Sequence, residues 1–157
     1  MQKLVLYSTL ALILFIACSK DKFQDKPTIE IKSINPTQVP EISGSYMEIE
    51  MEFTDKQGDV DSVFLYKQRL NSIQRPLLNA NTLVYKLPDF PEKSKGVIKL
   101  TLQHATELKA AVTPPTQIGA PNDKEPDTIV FKIVVKDKGG NYSDTTVTDK
   151  IVVERFN

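Results

Sequence analysis

Tryptophan is absent from this chain, and cysteine and histidine occur once each, as Cys18 and His104. The chain therefore cannot close a disulfide within itself, and a cysteine–histidine zinc cluster lacks its parts. A lone histidine at the end of a strand reads as a surface residue. Charge of one sign is also missing: 20 lysines and arginines face 20 aspartates and glutamates. Such a balance draws in neither nucleic acid nor an anionic membrane surface, and it lacks the acidic excess of a disordered tail. There is no Gly-x-Ser-x-Gly elbow, no HExxH and no Gly-rich phosphate cradle. Glu48, Glu50 and Glu52 fall on one strand face and Asp55 with Asp59 on a turn, so a glycosidase carboxylate pair is not expected. The chain reads as non-catalytic, with no catalytic residue and no cofactor beyond a possible structural calcium ion. No apolar run reaches the about 20 residues of a membrane-spanning helix.

What is present begins at the N-terminus. Lys3 supplies a positive start, Leu4 to Ala17 a short apolar run, and Ala17 a small residue directly before the single cysteine. This is the layout of a cleavable secretory signal, residues 1–17, forming a helix. Ile16-Ala17-Cys18, with Leu14 and Phe15 before them, resembles the lipobox of bacterial lipoproteins. Ser19-Lys20-Asp21-Lys22 is similar to the short signal that follows the cysteine in surface-displayed lipoproteins of Bacteroidota-type bacteria. The resemblance implies that Cys18 carries a thioether-linked diacylglycerol and that its freed amine takes a further acyl chain. Two or more chains hold a protein durably, at about 0.8 kcal/mol per buried methylene. The implied location is the outer membrane at the cell surface, with the periplasmic face as the alternative. Cleavage before Cys18 leaves 157 − 17 = 140 residues, enough for one domain. Residues 18–26 read as anchor and polar tether, and 27–157 as that domain.

The domain reads as strands. Met47, Ile49, Met51 and Phe53 alternate with Glu48, Glu50 and Glu52, a period of two that a helix cannot use. Ile98, Leu100 and Leu102 repeat the pattern, as do Ile129, Phe131, Ile133 and Val135. With turn residues as boundaries, seven strands are predicted near 28–34, 45–54, 60–69, 83–87, 96–103, 128–136 and 145–155. The expectation is an all-β, seven-stranded antiparallel immunoglobulin-like β-sandwich, with a jelly roll or small barrel as the alternatives. Residues 105–127 carry four prolines and read as one long connection, mildly helical from Ala105 to Val112. Segments of this kind are usually functional or disordered.

Two turns echo each other at a spacing of 82: Asp55-Lys56-Gln57-Gly58-Asp59 and Asp137-Lys138-Gly139-Gly140-Asn141. Turn chemistry alone accounts for the pattern, because Asp caps the turn, Gly permits positive φ and Asp or Asn tolerates a left-handed backbone. The turns also resemble the Asp-x-x-Gly-Asp/Asn hairpins of bacterial immunoglobulin-like, PKD-like and cadherin-like extracellular modules. Both are expected at one end of the domain, where Asp55, Asp59, Asp61, Asp137, Asn141 and Asp144 could supply calcium's six to eight oxygen ligands. Tyr46, Tyr66, Tyr85 and Tyr142 read as core or rim. Taken together, these features point to an envelope interaction or accessory module with a protein partner. The alternative is a surface lipoprotein that captures glycan or another nutrient through 105–127 and nearby aromatics. No nucleic-acid partner is implied.

Overall fold

The computed structural model describes residues 26–78 and 82–156. The expected signal-peptide helix, Cys18 and most of the expected tether fall outside the described residues. Among those described, no helix is long and apolar enough to cross a membrane.

The protein is all-β. Its strands are β1 (Thr28–Asn35), β2 (Gln38–Val39), β3 (Tyr46–Thr54), β4 (Val60–Arg69), β5 (Thr82–Lys86), β6 (Lys95–Gln103), β7 (Thr116–Gln117), β8 (Ala120–Lys124), β9 (Asp127–Asp137), β10 (Thr146–Val147) and β11 (Ile151–Val153). The order β1-β3-β6 makes one antiparallel sheet, and β2-β11-β9-β4-β5, with β10 on β9, makes a larger one. Strands β7 and β8 form a separate hairpin.

Alternation explains why the two sheets share a core. Met47, Ile49, Met51 and Phe53 on β3 bury completely or nearly so, while their glutamate neighbours stay at least partly in solvent. They join Val63 and Leu65 of β4 and Ile129, Phe131, Ile133 and Val135 of β9 in one apolar cluster. Each such side chain contributes about 1.5–3 kcal/mol by leaving water.

Three expectations need correction. The final strand is broken: Val147 pairs with Lys132, but Ile151 pairs with Ile129, so one extra residue bulges between β10 and β11. The Thr148 hydroxyl fills the gap by accepting from the Phe131 N–H at 2.9 Å. Residues 105–127 are not one loop. They contain the β7–β8 hairpin, and the helical tendency yields a single π-helical turn, His104–Leu108. Finally, the two-residue β2 pairs in parallel with β11, a contact too short to leave a signature in sequence.

The domain has two distinct ends. Thr28 pairs with Thr54, and Lys26 reaches Asp144 at 2.7 Å, so the chain enters beside the two acidic turns. The opposite end carries the segments 36–45, 70–78 and 104–126 and the residues after β11.

Candidate functional site

At the entry end the alternation of β3 carries past Phe53 to Asp55, and that of β9 past Val135 to Asp137. Both carboxylates therefore point toward the core rather than into water, and each is only 1% exposed. The two turns adopt the same local geometry. Asp55 Oδ2 accepts from the Asp59 N–H at 2.9 Å, and Asp137 Oδ1 from the Asn141 N–H at 2.7 Å. The Lys138 N–H donates to the Asp59 carbonyl at 3.1 Å and ties one turn to the other. Gly58, at φ +72°, packs so tightly against the Lys93 backbone that a Cβ would lie 2.5 Å from its nitrogen.

One carboxylate oxygen from each of Asp55, Asp59 and Asp137 lies within 4.8 Å of the other two. The turns differ at two positions, and the second difference, Asp59 against Asn141, has a large consequence. The Asn141 amide donates to Asp137 Oδ2 at 2.9 Å. Asp59 stands in the corresponding place and has no proton to donate when ionised, and both Asp55 Oδ1 and Asp59 Oδ1 are buried without a hydrogen-bond partner. Burial first, then the Asp55 and Asp137 carboxylates, push the Asp59 carboxyl above its ordinary range.

Of the six residues expected to converge, Asp55, Asp59 and Asp137 do so, with Asn141 bound to Asp137 as a donor. Asp61 accepts from the Ser62 hydroxyl at 2.7 Å, and the exposed Asp144 is paired with Lys26; neither belongs to the cluster.

A second polar cluster, at the far end, was not anticipated. Asp127, fully buried, accepts from Arg69 Nε at 2.6 Å, Arg155 Nη1 at 2.5 Å and the N–H groups of Ala110 and Ala111 at 2.9 and 3.2 Å. Burial pushes its carboxyl up, but these donors, the Ala110 N–H foremost, outweigh burial and hold it below the usual range. Lys67, 1% exposed, donates to the carbonyls of Glu107 and Lys109 at 2.8 and 2.6 Å. Desolvation lowers its pKa to about 8. Glu107 also accepts from the Tyr85 hydroxyl. A carboxylate and three cations thus fasten the segment after β6 over the end of the core. The signal in sequence was phase: Lys67 and Arg69 continue the inward register of Val63 and Leu65, Asp127 that of Ile129, and Arg155 that of Ile151 and Val153.

The expectation that His104 is a surface residue is corrected. It is buried, with Nε2 2.9 Å from the Glu154 carbonyl, because the chain turns inward at the end of β6. Of the tyrosines, Tyr46, Tyr66 and Tyr142 are exposed and Tyr85 is half-buried. They do not converge: Tyr142 packs on Phe64 with centroids 5.9 Å apart on the outer face of the larger sheet, Tyr66 lies under Lys132, and Tyr46 starts β3. Compared with models of known protein families and with curated proteins, the chain matches none.

Proposed function

We propose that this protein is a non-catalytic lipoprotein of the bacterial cell envelope: an immunoglobulin-like β-sandwich, anchored through Cys18 in the outer membrane, that presents its far end to a protein partner. The anchor rests on the Ile16-Ala17-Cys18 motif and the short polar stretch behind it. The observation that carries the interaction role is the distribution of exposed apolar side chains. Of the twelve large hydrophobics exposed among the described residues, Ile42, Tyr46, Leu70, Ile73, Val112, Ile118 and Phe156 all belong to the end opposite the chain entry. Ile118 stands 94% exposed at the tip of the β7–β8 hairpin. This enrichment of exposed apolar side chains at one end supports an interaction surface there, and a tether entering at the acidic end points it away from the membrane. The buried charges beneath it hold the presenting segments in place without taking part in recognition.

The test is a photo-crosslinking amino acid placed in intact cells at Ile118, with a second at Val147 on the outer face of the larger sheet as control. A discrete protein adduct at Ile118, absent from the control and lost in Ile118→Asp scored with a probe at Ile42, supports the reading. Adducts at both positions or at neither refute it, and displacement of the adduct by soluble glycan moves the assignment to glycan capture. Cys18→Ser must also abolish labelling by a clickable fatty acid; retained label removes the anchor.

A further inference from the structure

We propose that Asp55, Asp59 and Asp137 bind one calcium ion, which fastens the two sheets to each other at the end where the chain enters. Neither the anchor nor the interaction role is needed for this assignment.

The first observation is geometric. Oxygen ligands around calcium sit at about 2.3–2.6 Å from the ion, so two of them lie up to about 5 Å apart across the shell. The three carboxylates already place oxygens within 4.8 Å of one another. The second observation is independent of the clustering and concerns what the oxygens lack. Asp55 is 1% exposed, and its Oδ1 has no partner; Asp59 Oδ1 is likewise buried and unpartnered. Buried polar atoms in folded proteins are nearly always satisfied, and an unpaired buried carboxylate oxygen is costly, so these two oxygens mark a place where a cation would be stabilising. The related turn supplies an internal comparison. There the Asn141 amide meets the carboxylate of Asp137, and the substitution of an acid at the matching position removes a donor and adds a negative charge where positive charge is wanted.

The chemistry selects the ion. Three hard carboxylate oxygens, with no histidine or thiolate, suit calcium or magnesium and not zinc or copper. Magnesium demands near-ideal octahedral geometry at about 2.0–2.1 Å and gives up its waters reluctantly, whereas calcium tolerates carboxylates fixed by their turns. A small polar hollow of about 120 Å³, lined in part by Gly58, Asp59, Asp61, Asp89 and Lys138, adjoins the cluster and offers a route for the ion and for the waters that complete its shell. The topology gives the consequence. Asp55 follows β3 of the smaller sheet, while Asp59 precedes β4 and Asp137 ends β9 of the larger one, so an ion held by all three crosses from sheet to sheet.

The experiment uses the full chain in detergent, stripped with chelator and titrated calorimetrically with calcium chloride, alongside thermal melts. The expected result is one site per chain and a melting temperature higher by roughly 8 °C at a hundredfold excess over Kd. Asp59→Asn should weaken calcium binding at least about tenfold while leaving the metal-free melting temperature equal to or above that of the wild type, because the amide can then donate as Asn141 does. No binding heat together with identical melts in millimolar calcium and in chelator would overturn the proposal. So would an Asp59→Asn protein with wild-type calcium affinity. Stabilisation by magnesium equal to that by calcium would overturn the choice of ion.

Discussion

Replacing Asp127 by alanine leaves two guanidinium groups and two backbone N–H groups facing a void. Asp127 is fully buried and accepts from Arg69, Arg155, Ala110 and Ala111. Removing one side of a buried ion pair costs about 3–5 kcal/mol, because the remaining charge stays desolvated. Each orphaned N–H adds about 1 kcal/mol or more. Part of this is offset, since Arg69 Nη2 keeps Glu125 at 2.9 Å and Arg155 Nη1 keeps the Ala111 carbonyl at 2.9 Å. The net expectation is a loss of about 4 kcal/mol, a large fraction of the 5–15 kcal/mol typical of a domain. Urea unfolding at neutral pH should show it as a lower midpoint at unchanged slope. Hydrogen exchange should place the damage at Ala110, Ala111 and the β7–β8 hairpin ahead of β3 and β9. A triple replacement of Arg69, Asp127 and Arg155 by apolar residues of similar volume should recover most of the loss. A cost below about 1 kcal/mol for the alanine variant would refute the view that this carboxylate fastens the far end.

Lys67 gives a pH signature of defined sign. Its folded pKa is lowered to about 8 against an ordinary 10.5, so between those values the unfolded chain holds a proton that the folded chain has shed. Wild-type stability should therefore rise with pH across that window relative to Lys67→Met, by an upper bound of roughly 3 kcal/mol; parallel urea titrations at neutral pH and near pH 10 would test it, and a constant gap would contradict it. Gly58→Ala and Gly140→Ala make a matched pair, since φ is +72° and +90° but only Gly58 faces backbone at 2.5 Å. Gly140→Ala should cost about 1 kcal/mol for the left-handed conformation, and Gly58→Ala about 2–4 kcal/mol because the Lys93 segment must also move. Equal urea midpoints would show that the Lys93 contact is not restrictive.

The long strands were legible in the sequence because each alternates against an apolar core: β1, β3, β4, β5, β6 and β9 lie within a residue or so of their expected bounds. The short ones were not. Strands β2, β7 and β10 are two residues long and have no period of their own, and β8, with the sequence APNDK, carries no apolar alternation. The same division holds at the sites. The echo of Asp55 and Asp59 in Asp137 and Asn141 could be read from spacing, together with the expectation that the two turns share an end of the domain. That Asp61 bonds to Ser62 and Asp144 to Lys26 instead could not, because spacing does not state where a side chain points once a strand bulges or ends.

The far end shows most clearly what belongs to each level. By itself the sequence determined the phase: Lys67, Arg69, Asp127 and Arg155 occupy inward positions on strands whose other inward residues are apolar. It left unstated why charges should stand there. Only the tertiary structure decided that Arg69 and Arg155, 58 and 28 positions from Asp127, both meet its carboxylate, while Lys67 reaches the carbonyls of Glu107 and Lys109. The physical reason is range. Alternation is imposed locally, by the pleat of a strand against an apolar core, whereas the partner of a buried charge is chosen by how distant strands pack.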